Sequence, residues 1–172
     1  FNPTQVGAYR LIGYENRALA DEDFHNDKKD AGEIGAGHTV TALYEIIPAG
    51  HKDVPKVSTL KYQKTAASSK AEDAELLTVK LRYKNPGETH GQEISQTVRE
   101  AGKSLQAMSD DFRFAAAVAG YGMLLQHSEY LSEFTWNECI HMIQNAKGAD
   151  VNGYRAELLR LVELSDLLAH GK

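Results

Sequence analysis

The 172-residue chain contains a single cysteine, Cys139, and that scarcity excludes several classes of protein. No intramolecular disulfide can form, and one thiol makes neither a Cys-x-x-Cys redox pair nor a thiolate zinc cage. Basic residues are also in short supply. Nineteen Lys and Arg against 24 Asp and Glu leave a formal net charge of -5 and no electrostatic footprint for nucleic acid. No apolar run approaches the ~20 residues of a membrane span. A Gly-x-Ser-x-Gly nucleophile elbow is missing, as are internal repeats and heptads.

What is present is ordinary globular material, 42% hydrophobic and 25% charged. The length fits one domain, or two small coupled halves. Such a chain buries roughly 70% of its unfolded surface and needs no metal to fold. Phe1-Asn-Pro3 carries neither a methionine nor a charged-then-apolar leader, so the chain is expected to be a piece of a longer polypeptide.

Alternation predicts a strand over Ala8–Tyr14 and another over His38–Ile47, ended by Pro48-Ala-Gly50. Between them lies an acidic, turn-rich stretch with Asp21, Asp23, Asp27, Asp30 and Glu33. Residues 51–74 form a connection with one possible short strand at Leu60–Tyr62. Leu76–Lys84 is the clearest strand, and Asn85-Pro-Gly87 turns it into a return strand through Ile94 and Val98. After about residue 105 the period becomes 3.6. Ser109 caps a first helix to about His127, with Phe114, Ala115, Val118, Tyr121 and Leu125 as its apolar stripe. Thr135-Trp-Asn-Glu138 is a capping box opening a second helix, ended by Gly148. A third spans about Gly153–Ala169 and buries Leu158, Leu161, Val162, Leu164 and Leu168. Strands followed by helices predict an α+β fold, with an antiparallel, sandwich-like β half over 1–100 and a three-helix layer over 105–172. Together they are expected to form one domain.

Several motifs invite chemistry. The acidic stretch fails as an EF-hand, because counting from Asp21 puts His25 at position 5, Asn26 at 6 and Gly32 at 12. It is expected to be a solvated loop. Glu138-x-x-His141 is half of a di-iron motif without its second copy, which places His141 at an exposed rim. Cys139 could be a nucleophile served by His127 or His141, but residues 139 and 141 point to different sides of a helix. A lone helical cysteine is more often a small buried apolar group. Gly32, Gly35 and Gly37 resemble a phosphate loop only superficially, since a strand follows them and no helix N-terminus would face an anion. They are expected to permit a bulge or close strand packing, with His38 entering the strand as a hydrogen-bonded structural residue. Glu15 and Arg17 either pair at the strand exit or meet a neighbouring domain, and the two readings are compatible.

The segments Tyr9-Arg-Leu-Ile-Gly-Tyr-Glu-Asn-Arg17, Asp30–Glu45 and Leu77-Thr-Val-Lys-Leu-Arg-Tyr83 carry a resemblance. So do Asp111-Phe-Arg-Phe-Ala-Ala-Ala-Val-Ala119 and Gly153-Tyr-Arg-Ala-Glu157. The chain resembles, over essentially its whole length, the domain of unknown function that follows the von Willebrand factor type A domain in bacterial envelope proteins. The resemblance implies an upstream A domain as partner, often in a lipoprotein anchored at the periplasmic or outer surface. The Asp-x-Ser-x-Ser metal motif of A domains is absent from these residues. The resemblance therefore brings no catalytic residue, metal or cofactor. The expectation is a non-enzymatic accessory domain that supports protein–protein interaction in the envelope, with Tyr14, Glu15, Asn16 and Arg17 as the interdomain junction. The alternatives are an independent carbohydrate- or protein-binding β-sandwich module and a Cys/His hydrolase.

Overall fold

Alternating sequence in the first part of the chain produces two antiparallel strand pairs, and the 3.6-residue period of the second part produces three helices. This is the expected α+β arrangement. The computed structural model describes residues 1–14, 23–29, 32–55, 74–99 and 102–171. The chain divides into two compact units, Phe1–Ala101 and Gly102–Lys172.

In the first unit, β1 (Val6–Ile12) pairs with β2 (Leu43–Pro48), from Val6 opposite Pro48 to Ile12 opposite Leu43. β1 has the expected length but lies two residues earlier than alternation predicts, and β2 is shorter than predicted. Gly13 and Tyr14 take φ of 76° and 63°, which turns the chain out of the sheet after Ile12. The last described pair is Ile12 with Leu43, and residues 38–42 lie outside β2. His38 is accordingly not a strand residue; it is exposed, and its N–H donates to the Gly35 carbonyl at 3.1 Å. Gly35 and Gly37 belong to this turn, not to a bulge, and Gly32 lies in the irregular stretch before it.

The second pair is a hairpin of β3 (Glu75–Tyr83) and β4 (Gln92–Arg99), in register from Leu77 opposite Val98 to Tyr83 opposite Gln92. The Asn85-Pro-Gly87 turn forms as expected, and Glu88 N–H donates to the Asn85 carbonyl at 3.0 Å. Leu77, Val79, Leu81 and Tyr83 share one face with Ile94 and Val98. Asn2 lies against the outer edge of β3, its N–H donating to Leu76 O and its Nδ2 to Glu75 O, both at 2.8 Å. The short strand expected at Leu60–Tyr62 lies outside the described residues.

The second unit holds α1 (Asp110–Leu125), α2 (Trp136–Asn145) and α3 (Tyr154–His170). Ser109 caps α1 by accepting from Phe112 N–H. The capping box at α2 is complete: Glu138 N–H donates to Thr135 Oγ1, and Thr135 N–H donates to Glu138 Oε2 at 2.7 Å. Helix α2 packs against both α1 and α3, and the core forms where they meet, from Ala117, Leu124, Cys139, Ile143 and Val162. The α1 stripe is therefore rotated from expectation. Ala117, Gly120 and Leu124 are buried and Phe114 and Tyr121 half-buried, while Val118 and Leu125 are exposed. Gly120 has a specific reason to be glycine. The Phe134 ring occupies the place of a side chain there, with an added Cβ only 2.4 Å from the ring.

Helix α3 departs further from its predicted face. Val162 is fully buried and Leu158 half-buried, but Leu161, Leu164 and Leu168 are 51%, 53% and 74% exposed. A single partner helix covers only one stripe, and α2 takes the stripe through Leu158, Leu159 and Val162. The other three leucines form a second stripe around the side. Replacing Ile143 by Ala should cost about 3 kcal/mol, because it opens a cavity at a fully buried position. Leu164→Ala should cost under about 0.5 kcal/mol. Urea unfolding followed by the fluorescence of Trp136, the one tryptophan in the sequence and a residue of α2, separates the two outcomes.

Candidate functional site

Of the expected junction residues, Glu15, Asn16 and Arg17 lie outside the described residues. Tyr14 follows β1 in the left-handed region, is exposed, and places its hydroxyl 3.4 Å from the Thr41 carbonyl. That hydrogen bond joins the two chain segments that leave the ends of β1 and β2.

The acidic stretch is more than a solvated loop. Asp27 Oδ1 accepts from Arg82 Nη2 at 2.8 Å and from Gly91 N–H at 3.1 Å, while Lys84 Nζ donates to the Asp27 carbonyl at 2.7 Å. The Arg82 hydrogen bond, followed by that from Gly91, holds the Asp27 carboxyl below its ordinary 3.8. Gly91 makes the approach possible, since a Cβ there would stand 2.7 Å from both Asp27 Oδ1 and Arg82 Nε. Asp23 pairs with Lys29 at 2.9 Å. A groove of about 780 Å³ runs beside this knot, with Phe24, Ile34 and Tyr83 in its walls. Asp23, Asp27, Lys29, Arg82 and Lys84, among the charges that line it, are turned on one another, and the arrangement pins the 23–29 segment to the β3–β4 hairpin. Asp21 and Asp30 lie outside the described residues.

A second polar knot organises the helices. The Asp150 carboxylate accepts from the backbone N–H groups of Arg155 at 3.0 Å and Ala156 at 2.8 Å. It thereby caps α3 from three residues before Gly153, which has no side chain to do so. These bonds, that from Arg155 foremost, hold the Asp150 carboxyl below its ordinary 3.8. Arg155 Nη1 donates to Ala146 O at the end of α2 at 2.9 Å, and Nη2 binds Asp111 in the first turn of α1. The guanidinium also lies 4.6 Å from the centroid of the Phe114 ring. One side chain of α3 thus grips both other helices. The motif reading missed it, although Arg155 and Asp111 fall within two of the segments that carry the family resemblance.

The reactive candidates take structural places. Cys139 is fully buried, its Sγ is 3.5 Å from the Ala117 carbonyl, and burial pushes the thiol up to about 11. That is an inert core cysteine, as its helical context predicted. His141 is exposed, at the rim where its spacing placed it, and His127 is exposed as well. The described residues contain no group of three His, Cys, Asp or Glu placed to hold a metal, and no helix long and apolar enough to cross a membrane.

Among the described residues, α3 carries an exposed apolar surface. Leu161, Leu164 and Leu168 continue along the outside of α3, and Leu167 and Tyr154 on the same helix are exposed with them. On α1, Val118 and Leu125 lie beyond Tyr121, whose hydroxyl meets Ser165 Oγ of α3 at 2.9 Å. Ser165 spends its own proton on the Leu161 carbonyl, so Tyr121 is the donor in that pair.

These features define an α+β fold in which polar clusters brace the backbone of each unit. The family described as "Uncharacterized protein YfbK, C-terminal" matches residues 1–168, and the chain belongs to that family. It is 44% identical over 167 residues to the "Uncharacterized protein YfbK" of Escherichia coli strain K12. The match takes in 96% of this chain and 28% of the relative, so the chain spans less than a third of the length of that protein. No solved structure matches.

The second knot has two measurable consequences. Arg155→Met should destabilise the helical unit by about 2 kcal/mol, the scale of charge-assisted hydrogen bonds lost from a half-buried site. Arg155→Lys should recover only part, because an ammonium lacks the planar fork. Asp150 has its folded pKa depressed, so its contribution is complete above the unfolded value near 3.8 and disappears as pH falls through the lower folded value. Acid unfolding below about pH 4 should therefore be shallower in Asp150→Asn than in the parent chain, as read by circular dichroism across a pH series.

Proposed function

We propose that this domain is a non-enzymatic accessory module that packs beside the remainder of a longer polypeptide and orients it. The resemblance makes that remainder an upstream von Willebrand factor type A domain, in a lipoprotein-anchored protein of the bacterial cell envelope that engages other envelope proteins. The observation that carries the reading is the second leucine stripe of α3: three leucines at 51–74% exposure on a helix whose other side is already satisfied. Contiguous apolar surface of this kind marks an interaction site. The chain's share of its relative, 28%, supplies ample polypeptide to cover it. Further support comes from the reactive side chains, because Cys139 is sealed in the core and Asp27 and Asp150 are committed to internal hydrogen bonds. Tyr14 and residues 15–17 form a second contact in this reading.

Changing Leu161, Leu164 and Leu168 together to Gln tests the proposal. The 172-residue chain should keep its unfolding midpoint, while the longer protein should lose hydrogen-exchange protection along α3 and on the neighbouring domain. Equal protection in the longer parent and its variant would sink the idea. Glu15→Ala with Arg17→Ala in the same protein tests the second contact.

A second reading has one observation in its favour. Phe1 stacks on Tyr9 with ring centroids 3.7 Å apart, and Tyr44 lies 5.5 Å from Phe1, so three exposed rings form a platform on the β1–β2 sheet. Such a platform suits a sugar ring. If the domain is a carbohydrate-binding module, the isolated chain binds polysaccharide and Tyr9→Ala removes that binding; an accessory domain alone binds none.

A further inference from the structure

All eight residues of β4 are exposed, and no other described strand pairs with its outer edge. The outer edge of β3 is partly occupied by Asn2, and β2 is a short strand ending in Pro48. Strand β4 has little of the usual protection. It contains no proline, glycine or lysine, and its pairing with β3 is regular from Gln92 to Val98. A long, regular edge with its two opposite charges near its ends is a template for another strand. The hairpin also has an incentive to acquire one. A two-stranded sheet is marginal in water, and three or more strands with an apolar face are needed for independent stability.

The residues of β4 identify the occupant. Opposite residues of an antiparallel pair share a face, so two copies of β4 related by a two-fold axis at Gln96 bring Ile94 opposite Val98 of the second copy. The same register sets Glu93 opposite Arg99, and Ser95 opposite Thr97, on the other face. These three pairs are complementary and each occurs twice, while Gln96 meets Gln96 of the second copy on the axis. Neighbouring registers lose this. Centring on Ser95 puts Ile94 against Gln96 and Glu93 against Thr97; centring on Thr97 puts Val98 against Gln96 and Arg99 against Ser95. The faces agree with the single chain, where Ile94 and Val98 are opposite Leu81 and Leu77, while Glu93 and Arg99 pair on the polar side with Lys80 and Glu75.

We infer that the chain self-associates through β4. Two copies join in antiparallel register about Gln96 to make one four-stranded sheet in the order β3-β4-β4-β3. One side of that sheet carries Leu77, Val79, Leu81, Ile94 and Val98 of both copies, with the two Gln96 side chains facing each other at its centre. The contact is closed, because each copy offers one such edge.

Sedimentation equilibrium on the unsubstituted 172-residue chain should give about 38 kDa, twice its 19.0 kDa. Register is read by single cysteines in a Cys139→Ser background. Gln96→Cys places the thiol opposite its own copy, whereas Ile94→Cys displaces the two thiols by four residues, roughly 13 Å. A disulfide needs Cα atoms within about 7 Å, so Gln96→Cys should cross-link at least about tenfold faster under mild oxidation. A monomer at all concentrations overturns the inference. So does a ladder of higher species, or a dimer in which Ile94→Cys cross-links as fast as Gln96→Cys.

Discussion

The helical unit depends on the guanidinium of Arg155. Helices α1 and α3 each pack on α2, and an arrangement of that kind leaves their relative tilt to side chains. Arg155 fixes it from the start of α3, with one nitrogen on the last turn of α2, another on Asp111 of α1, and its flat face toward Phe114. A lysine could satisfy only one of these at a time. Asp150 sets the position of the guanidinium by holding the backbone of Arg155 and Ala156. Far from being a separate cap, it is the base on which the clamp rests. Tyr121 and Ser165 add a second tie between α1 and α3 further along the helices.

The two units stand on different physical footings. Among the described residues, Ala117, Leu124, Cys139, Ile143, Ala146 and Val162 of the helical unit are buried, whereas the β unit buries only Val6. The β unit relies instead on polar knots and sheet hydrogen bonds: Arg10 with Glu45 across β1 and β2, Asp27 with Arg82 and Gly91, and Asn2 on β3. Net contributions of that kind are individually small in water. A unit assembled this way gains much from any surface laid over its sheets, and the exposed faces of both units have the same origin in incomplete burial.

Much of this was legible in the sequence because local rules decided it. Ser109, the Thr135–Glu138 box and the Asn85-Pro-Gly87 turn each act within a few residues, and all three appear where the sequence puts them. The β3–β4 hairpin followed from strict alternation. Legibility failed where the partner lay far away in the chain. Leu161, Leu164 and Leu168 have the spacing of a buried stripe, but the adjoining stripe through Val162 has it too, and only α2 decides between them. Asp27 looked like one acid among several, and its distinction lies 55 residues away at Arg82. The end of β1 at Ile12 turned on the left-handed backbone of Tyr14, a conformation its ring gives no hint of. Residues 15–17, read as a junction, lie outside the described residues, and the exposed leucines of α3 were read as buried.

The contact of Gly120 with Phe134 constrains how this family can diverge. The ring fills the space where any larger residue at 120 would begin, so a change at 120 alone meets an immediate clash. The reverse order is passable: a smaller residue at 134 leaves a void beside α1, costly but survivable, which a new side chain at 120 can then fill. The two positions should therefore change in a fixed historical sequence, 134 before 120. Lineages that have taken the first step would have lost an easy return, because a refilled position 120 bars the ring from coming back.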